Sequence, residues 1–404
     1  MTISRLPLLD AMKGIGCIAI VLHHLAVYGP MSDVVRGDFP AVIDGLEIYA
    51  RLAVQMFFVL AGFLVAAQLA PEGQPLRLAL LKDSLPEAKS VKPQNKATDP
   101  DQATVSRSTS YAAYSAASAS GLILKRYRRL ATPFLFAIAC AILITAIVRP
   151  WFVHDSLSAP PSLAQLLAHA LLLHDLTGVE ALSAGVWYVA IDFQLFILTV
   201  LLTALSARAA PGWRWIFPAL IIGLAAGSLW VINRHDRYED YAPYFFGAYA
   251  LGMLAFWSTR QPLGGGLLFT IALLGSVALW LQHRNPIVVA LATAIIVAIA
   301  GQRGWLAQWP RPGLLTWLGQ RSYSIFLIHY GFVIGMNALW ARLFPTGVLI
   351  NAVGMMLAVL ISVGAGALLY RYVESQPNAL GRNWVTAVLG AAVATAFLLE
   401  TLAW

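Results

Sequence analysis

The chain has 404 residues, of which 59% are hydrophobic and 11% charged, against roughly 25% charged in an average soluble domain. So few charges cannot cover a water-exposed surface, which excludes an ordinary soluble enzyme and points to a chain covered largely by lipid. The net charge of +8 sits mostly in short links between apolar stretches, the pattern of the positive-inside rule, and requires no nucleic acid partner.

In chain order, eleven apolar segments are expected to cross the bilayer: 10–28, 48–70, 129–148, 186–206, 214–232, 241–257, 264–281, 286–301, 314–340, 346–370 and 383–402. A crossing takes about 20 residues, so 286–301 is short, and the still shorter 163–173 is expected to be re-entrant or interfacial. The predicted fold class is an all-α, polytopic membrane helical bundle with about 10–11 transmembrane helices. The first segment could pass for a signal peptide. Lys13, His23 and His24 interrupt it and no cleavage site follows, so it reads as a retained helix.

Residues 83–120 are rich in Ser, Ala, Thr, Lys, Asp and Pro and poor in large aliphatics. Such a stretch cannot bury enough apolar area to fold alone. A flexible cytoplasmic insertion is expected there, between membrane-domain parts 1–82 and 121–380, with 383–402 as an additional C-terminal transmembrane helix. The link from Pro71 to Arg129 is strongly basic, and the link carrying Asp33, Asp38, Asp44 and Glu47 is acidic. The first is therefore expected inside and the second outside, with the N-terminus in the cytoplasm.

Ionisable side chains within a span are costly and mark function by default. The first span holds Asp10, Lys13, His23 and His24. At roughly 100° per residue, Asp10, Lys13 and His24 share one face and His23 falls aside. Lys13 and His24 lie ~16 Å apart along the axis, too far to touch but well placed for two ends of one elongated ligand. Imidazole can take a hydroxyl proton near neutral pH, so His24 is the candidate base. A histidine merely hydrogen-bonded to another helix is the plain alternative, and the shared face with Asp10 and Lys13 weighs against it.

Further candidates follow along the chain. Arg126 and Arg129 are three apart and can share a helical face; paired guanidinium groups suit phosphates, while a positive-inside anchor explains the charge alone. Asp192 lies inside the fourth span and needs an interior partner. Ser322, Tyr323, Ser324 and His329 open the ninth span. Glu374 follows the tenth, where an ion pair with Arg371 would account for it. His235, Asp236, Glu239 and Asp240 form an outer polar link. Cys17 and Cys140 lie in apolar segments and suggest neither a disulfide nor a thiolate metal site. No phosphate loop, no H-E-x-x-H and no C-x-x-C occurs, and no G-x-S-x-G elbow either. No metal site is expected.

Several of these segments together resemble one family, the acyltransferase 3 membrane proteins. The run Leu6 to Gly14 resembles its opening LDxLRG, and Lys13 followed by His24 fits its spacing of a basic residue, ten residues, then histidine. Phe57 to Leu64 resembles FFVLSGFL, with Ala61 where serine is usual. Arg126 to Arg129 fits its R-x-x-R element ahead of Pro133. Trp187 to Gln194 resembles WYLxxExQ, with Asp192 at the acidic position. Leu318 to His329 resembles LGxxSYxxYLxH, and Glu374 with Pro377 the closing ExP.

The resemblance runs from about residue 5 to 378 and implies an O-acyltransferase of a bacterial inner membrane. It implies acyl-CoA, with acetyl-CoA expected, as co-substrate and no tightly bound cofactor. The implied acceptor is a hydroxyl of an extracytoplasmic saccharide or glycolipid. His24 would be the catalytic base and Asp192 a further member of the site. Lys13, Arg126 and Arg129 would hold donor phosphates, and Asp10, Ser322, Tyr323, His329 and Glu374 would contact substrate. The runner-up reading is a transporter or exporter, whose buried charges would line a path. Its usual pair of matching broken helices is not legible in the two halves of the sequence.

Overall fold

Nothing in a bilayer core hydrogen-bonds a free peptide group, so a chain this apolar must satisfy its backbone internally. The computed structural model does so with helices. It describes residues 6–71, 73, 118–208, 215–260, 264–310 and 313–402, and no β-strand occurs among them. The expected insertion lies outside the described residues, apart from positions 118–120.

The helices are α1 (Pro7–Val27), α2 (Pro30–Asp38), α3 (Pro40–Tyr49), α4 (Ala53–Leu69), α5 (Ala119–Val148), α6 (Leu163–Ala170), α7 (His174–Thr177), α8 (Trp187–Ser206) and α9 (Ile216–Trp230). They continue as α10 (Ala242–Ser258), α11 (Gly264–Leu281), α12 (Asn285–Gln302), α13 (Trp305–Gln308), α14 (Leu314–Gln320), α15 (Ser322–Leu343), α16 (Val348–Leu369) and α17 (Asn383–Leu402). Among the described residues, 10 helical stretches are long and apolar enough to cross a membrane. The chain is thus a multi-pass helical bundle. The expected span 241–257 corresponds to α10, which has 17 residues and is buried along nearly its whole length.

Two close backbone approaches shape the region around α1 and α4. A Cβ on Gly319 of α14 would fall 1.6 Å from the Asp10 carbonyl oxygen on α1, and one on Gly14 would fall 2.3 Å from the Leu315 carbonyl oxygen. Likewise Gly62 of α4 abuts the Tyr249 carbonyl and Gly252 of α10 the Val59 carbonyl, at 1.8 and 1.9 Å. Small residues at facing positions let membrane helices approach this closely.

Several boundaries differ from the sequence expectation. The segment 314–340 is two helices rather than one span, interrupted at Arg321 (φ −111°), because α14 must turn to lay Gly319 against α1. The third span begins at Ala119, not 129, where Ser118 Oγ accepts the Gly121 amide at 3.0 Å as an N-cap. Arg126 and Arg129 therefore lie within a 30-residue helix rather than ahead of it. The first span starts earlier as well, at Pro7.

The segment expected to be re-entrant folds back on α5. Its helix α6 opens with a capping box, in which Ser162 Oγ accepts from the Gln165 amide and Gln165 Oε1 from the Ser162 amide. Tyr127 Oη donates to the Ala170 carbonyl at 2.6 Å, and Phe134 packs against His169 and His174. α16 closes in a wide π turn, Tyr370–Glu374. Such turns are frequent at functional sites, and this one aims Glu374 at α15. The polar link after α9 is knit by Arg284, whose Nη2 lies 3.1 Å from Asp236 Oδ1 and 3.6 Å from Glu239 Oε1.

Candidate active site

The ionisable groups gather at two levels along α1. At the lower level Lys13 Nζ lies 3.9 Å from Asp10 Oδ1, one helical turn away on the same face. Lys13 is also in electrostatic range of Arg126, Arg129 and Glu374, so α1, α5 and the π turn converge here. Arg126 Nη2 donates to Asp192 Oδ2 at 2.5 Å, joining α5 to α8, and the guanidinium carbon sits 5.3 Å from the Phe196 ring centre. Glu374 Oε2 accepts from Ser324 Oγ at 2.5 Å, which supplies the contact that an Arg371 pair would have made.

The charges at this level balance: Lys13, Arg126 and Arg129 stand against Asp10, Asp192 and Glu374. For the buried members this pairing follows from the cost of burial, because an ion taken out of water without a counter-ion loses several kcal/mol. It changes what the two arginines can do. Arg126 is held by Asp192, which is only 4% exposed, whereas Arg129 is exposed and free to meet a ligand from the water. The pair is not symmetric. Arg126 Nε and Asp192 Oδ1 are enclosed and have no hydrogen-bond partner among the described residues.

At the upper level, eleven residues along α1 from Lys13, His24 Nδ1 lies 2.6 Å from His329 Nε2 on α15. Both rings are buried, His24 at 7% and His329 at 0% exposure. His329 Nδ1 is 2.7 Å from the Phe326 carbonyl oxygen. Phe57, Tyr188 and Phe326 form a triangle of rings between the two levels, with centres 5.6 to 6.4 Å apart. Gly185 closes over the upper level. Its φ is +75°, and a Cβ there would come 3.0 Å from Phe326 and 3.4 Å from His24 Cε1.

Not every sequence candidate joins these groups. The Ser322 carbonyl accepts from Cys17 Sγ at 3.4 Å, tying α15 to α1, whereas Tyr323 is in electrostatic range of Glu374, Arg126, Asp192 and Arg129 while its Oη donates to the Leu130 carbonyl at 2.9 Å. His23, aside by helical phase, packs its ring 5.0 Å from His24. Two features escaped sequence reasoning. Ser324 was seen but not paired with Glu374, since the two are 50 positions apart. Gly185 carried no signal beyond being a glycine just before an apolar run.

A family model described as an acyltransferase domain matches residues 6–365. No curated protein and no solved structure matches the chain. The matched stretch contains both levels of the site except Glu374. The chain therefore belongs to the acyltransferase 3 family and is a multi-pass membrane acyltransferase.

Proposed function

We propose that this protein moves an acyl group, acetyl in the first instance, from cytoplasmic acyl-CoA to a hydroxyl of an extracytoplasmic or lipid-linked saccharide. The N-terminus is cytoplasmic and the location a bacterial inner membrane. The observation that carries the reading is the buried contact of 2.6 Å between His24 and His329, set one donor-arm length above a level of fixed charges. The ~16 Å between Lys13 and His24 suits a CoA arm with its phosphates held low, by Arg129 and Lys13, and its thioester high.

His24 takes the proton of the acceptor hydroxyl as its oxygen attacks the thioester carbonyl. The C–O bond forms, the C–S bond breaks, and the CoA thiolate leaves with the proton that His24 held. Arg126, fixed by Asp192, serves the polar middle of the donor.

The test is acyl transfer in membranes from labelled acetyl-CoA, scored with mass spectrometry of surface glycans. His24→Ala, at matched protein level, is expected to abolish both label transfer and glycan acylation. Full activity in that variant would remove His24 from the mechanism. Substrate flux without release of free CoA would favour a transporter instead.

A further inference from the structure

We propose that His329 is the positioning residue of this acyltransferase: it holds the His24 ring in the one tautomer that leaves Nε2 bare. The inference rests on His24 being the base.

It follows from hydrogen-bond accounting. A carbonyl oxygen can only accept, so the 2.7 Å contact with the Phe326 carbonyl places a hydrogen on His329 Nδ1. A neutral imidazole protonated at Nδ1 has a lone pair at Nε2. That lone pair lies 2.6 Å from His24 Nδ1, so His24 Nδ1 carries the hydrogen and donates it. The hydrogen of neutral His24 is thereby committed, and its Nε2 is an acceptor.

The ring geometry agrees. The planes are 11° apart and the centres 4.8 Å apart, a separation equal to the N···N distance plus the two ring radii. The rings therefore meet edge to edge, as a lone pair aimed along an N–H requires, rather than face to face. His329 sits three residues beyond Phe326 on the same helix, so α15 itself sets this tautomer. His329 is 0% exposed, so bulk water does not reach the contact.

The arrangement also determines where the proton goes. When His24 Nε2 takes the acceptor proton, the ring becomes cationic and its Nδ1–H bond to His329 becomes charge-assisted, the stronger class of hydrogen bond. His329 cannot pass a proton onward, because its own Nδ1 hydrogen faces a carbonyl that cannot accept it covalently. The proton stays on His24 until the CoA thiolate takes it. His329 thus orients and stabilises without relaying, and it has no need to touch either substrate.

The experiment compares His329→Leu, His329→Met and His329→Gln in purified protein with labelled acetyl-CoA, with folding followed by size exclusion and thermal melting. Leu and Met lack a good acceptor for His24 Nδ1–H, and the amide oxygen of Gln supplies one. For Leu and Met, kcat is expected to fall on the order of 10²-fold with KM for acetyl-CoA unchanged. Gln is expected to recover roughly tenfold of that loss. If Leu does not accumulate as folded protein, the comparison of Met with Gln decides. The proposal is overturned if kcat is unchanged in Leu or Met, if Gln is no better than they are, or if KM rises while kcat is kept, since that would make His329 a substrate contact. Activity in His24→Ala would sink the underlying reading instead, whatever the His329 variants do.

Discussion

Two pairs of parallel imidazoles are buried in this protein, and they are built from the same anchor. In one, His329 Nδ1 donates to the Phe326 carbonyl; in the other, His169 Nδ1 donates to the Gln165 carbonyl, each at 2.7 Å. They diverge at the opposite nitrogen. His329 Nε2 meets a second imidazole, at His24 Nδ1, at 2.6 Å. His169 Nε2 accepts from a backbone amide, Leu182 N–H, at 3.1 Å, and its ring lies over His174 with centres 4.2 Å apart and planes 7° apart. One pair meets edge to edge, the contact on which the proposed tautomer rests. The other meets face to face and pins the chain that leads to Gly185.

That contrast can be broken by substitution. The largest effect is expected at His24→Ala, with a loss of roughly 10³-fold in acyl transfer and little change in melting temperature. A comparable activity loss in His169→Leu at unchanged stability would erase the distinction. Next come Arg126→Ala and Asp192→Ala, each of which strands a buried charge. Breaking such a pair costs about 3–5 kcal/mol, to be read as loss of folded protein in detergent. The double variant should be less destabilised than the sum, and simple additivity would argue against direct coupling.

His169→Leu leaves the Leu182 amide without its acceptor, a cost of about 1–3 kcal/mol, seen as faster proteolysis of the 171–186 segment with kcat retained. Gly185→Ala forces a side chain into positive φ, about 1–3 kcal/mol of strain, and pushes on Phe326 and His24. Its activity should fall more than its stability does, and an unaffected kcat would show that this cover does not bear on the base.

The smallest effect concerns pH. Burial, with Asp240 nearby, pushes the Asp175 carboxyl up to about 6. Burial, with His169 beside it, pushes His174 down to about 3. The folded state thus binds more protons than the unfolded one at Asp175 and fewer at His174. Asp175 makes stability fall as pH rises from about 4 to 6, whereas His174 makes it fall as pH drops from about 6.5 toward 3. The two oppose each other between about 4 and 6. Asp175→Asn should remove one arm, so its melting temperature should fall with acidification over that window more steeply than in the parent protein. Parallel curves would show that the two groups do not titrate as described.

Much of the fold was legible because bilayer physics leaves few choices. Apolar segments of spanning length must be helices, and ten of the eleven expected crossings coincide with a helical stretch long and apolar enough to span, the exception being the 17-residue α10. The expected span at 314–340 misled because hydropathy reports only burial; the break at Arg321 is imposed by Gly319 meeting α1, a contact between positions more than 300 apart. Similarly, the basic run Lys125 to Arg129 read as a boundary, since its charges end the hydropathic pattern, but Ser118 caps the helix further back.

The site divides in the same way. Sequence alone determined that Asp10, Lys13 and His24 share a face, because helical phase is local and rigid. It also required that Asp192 have an interior partner, because a lone buried carboxylate costs too much. It could not say that the partner is Arg126, that Ser324 meets Glu374, or that His24 meets His329. Those pairings join helices 50 to 305 positions apart, and only tertiary packing brings their polar atoms within hydrogen-bond reach.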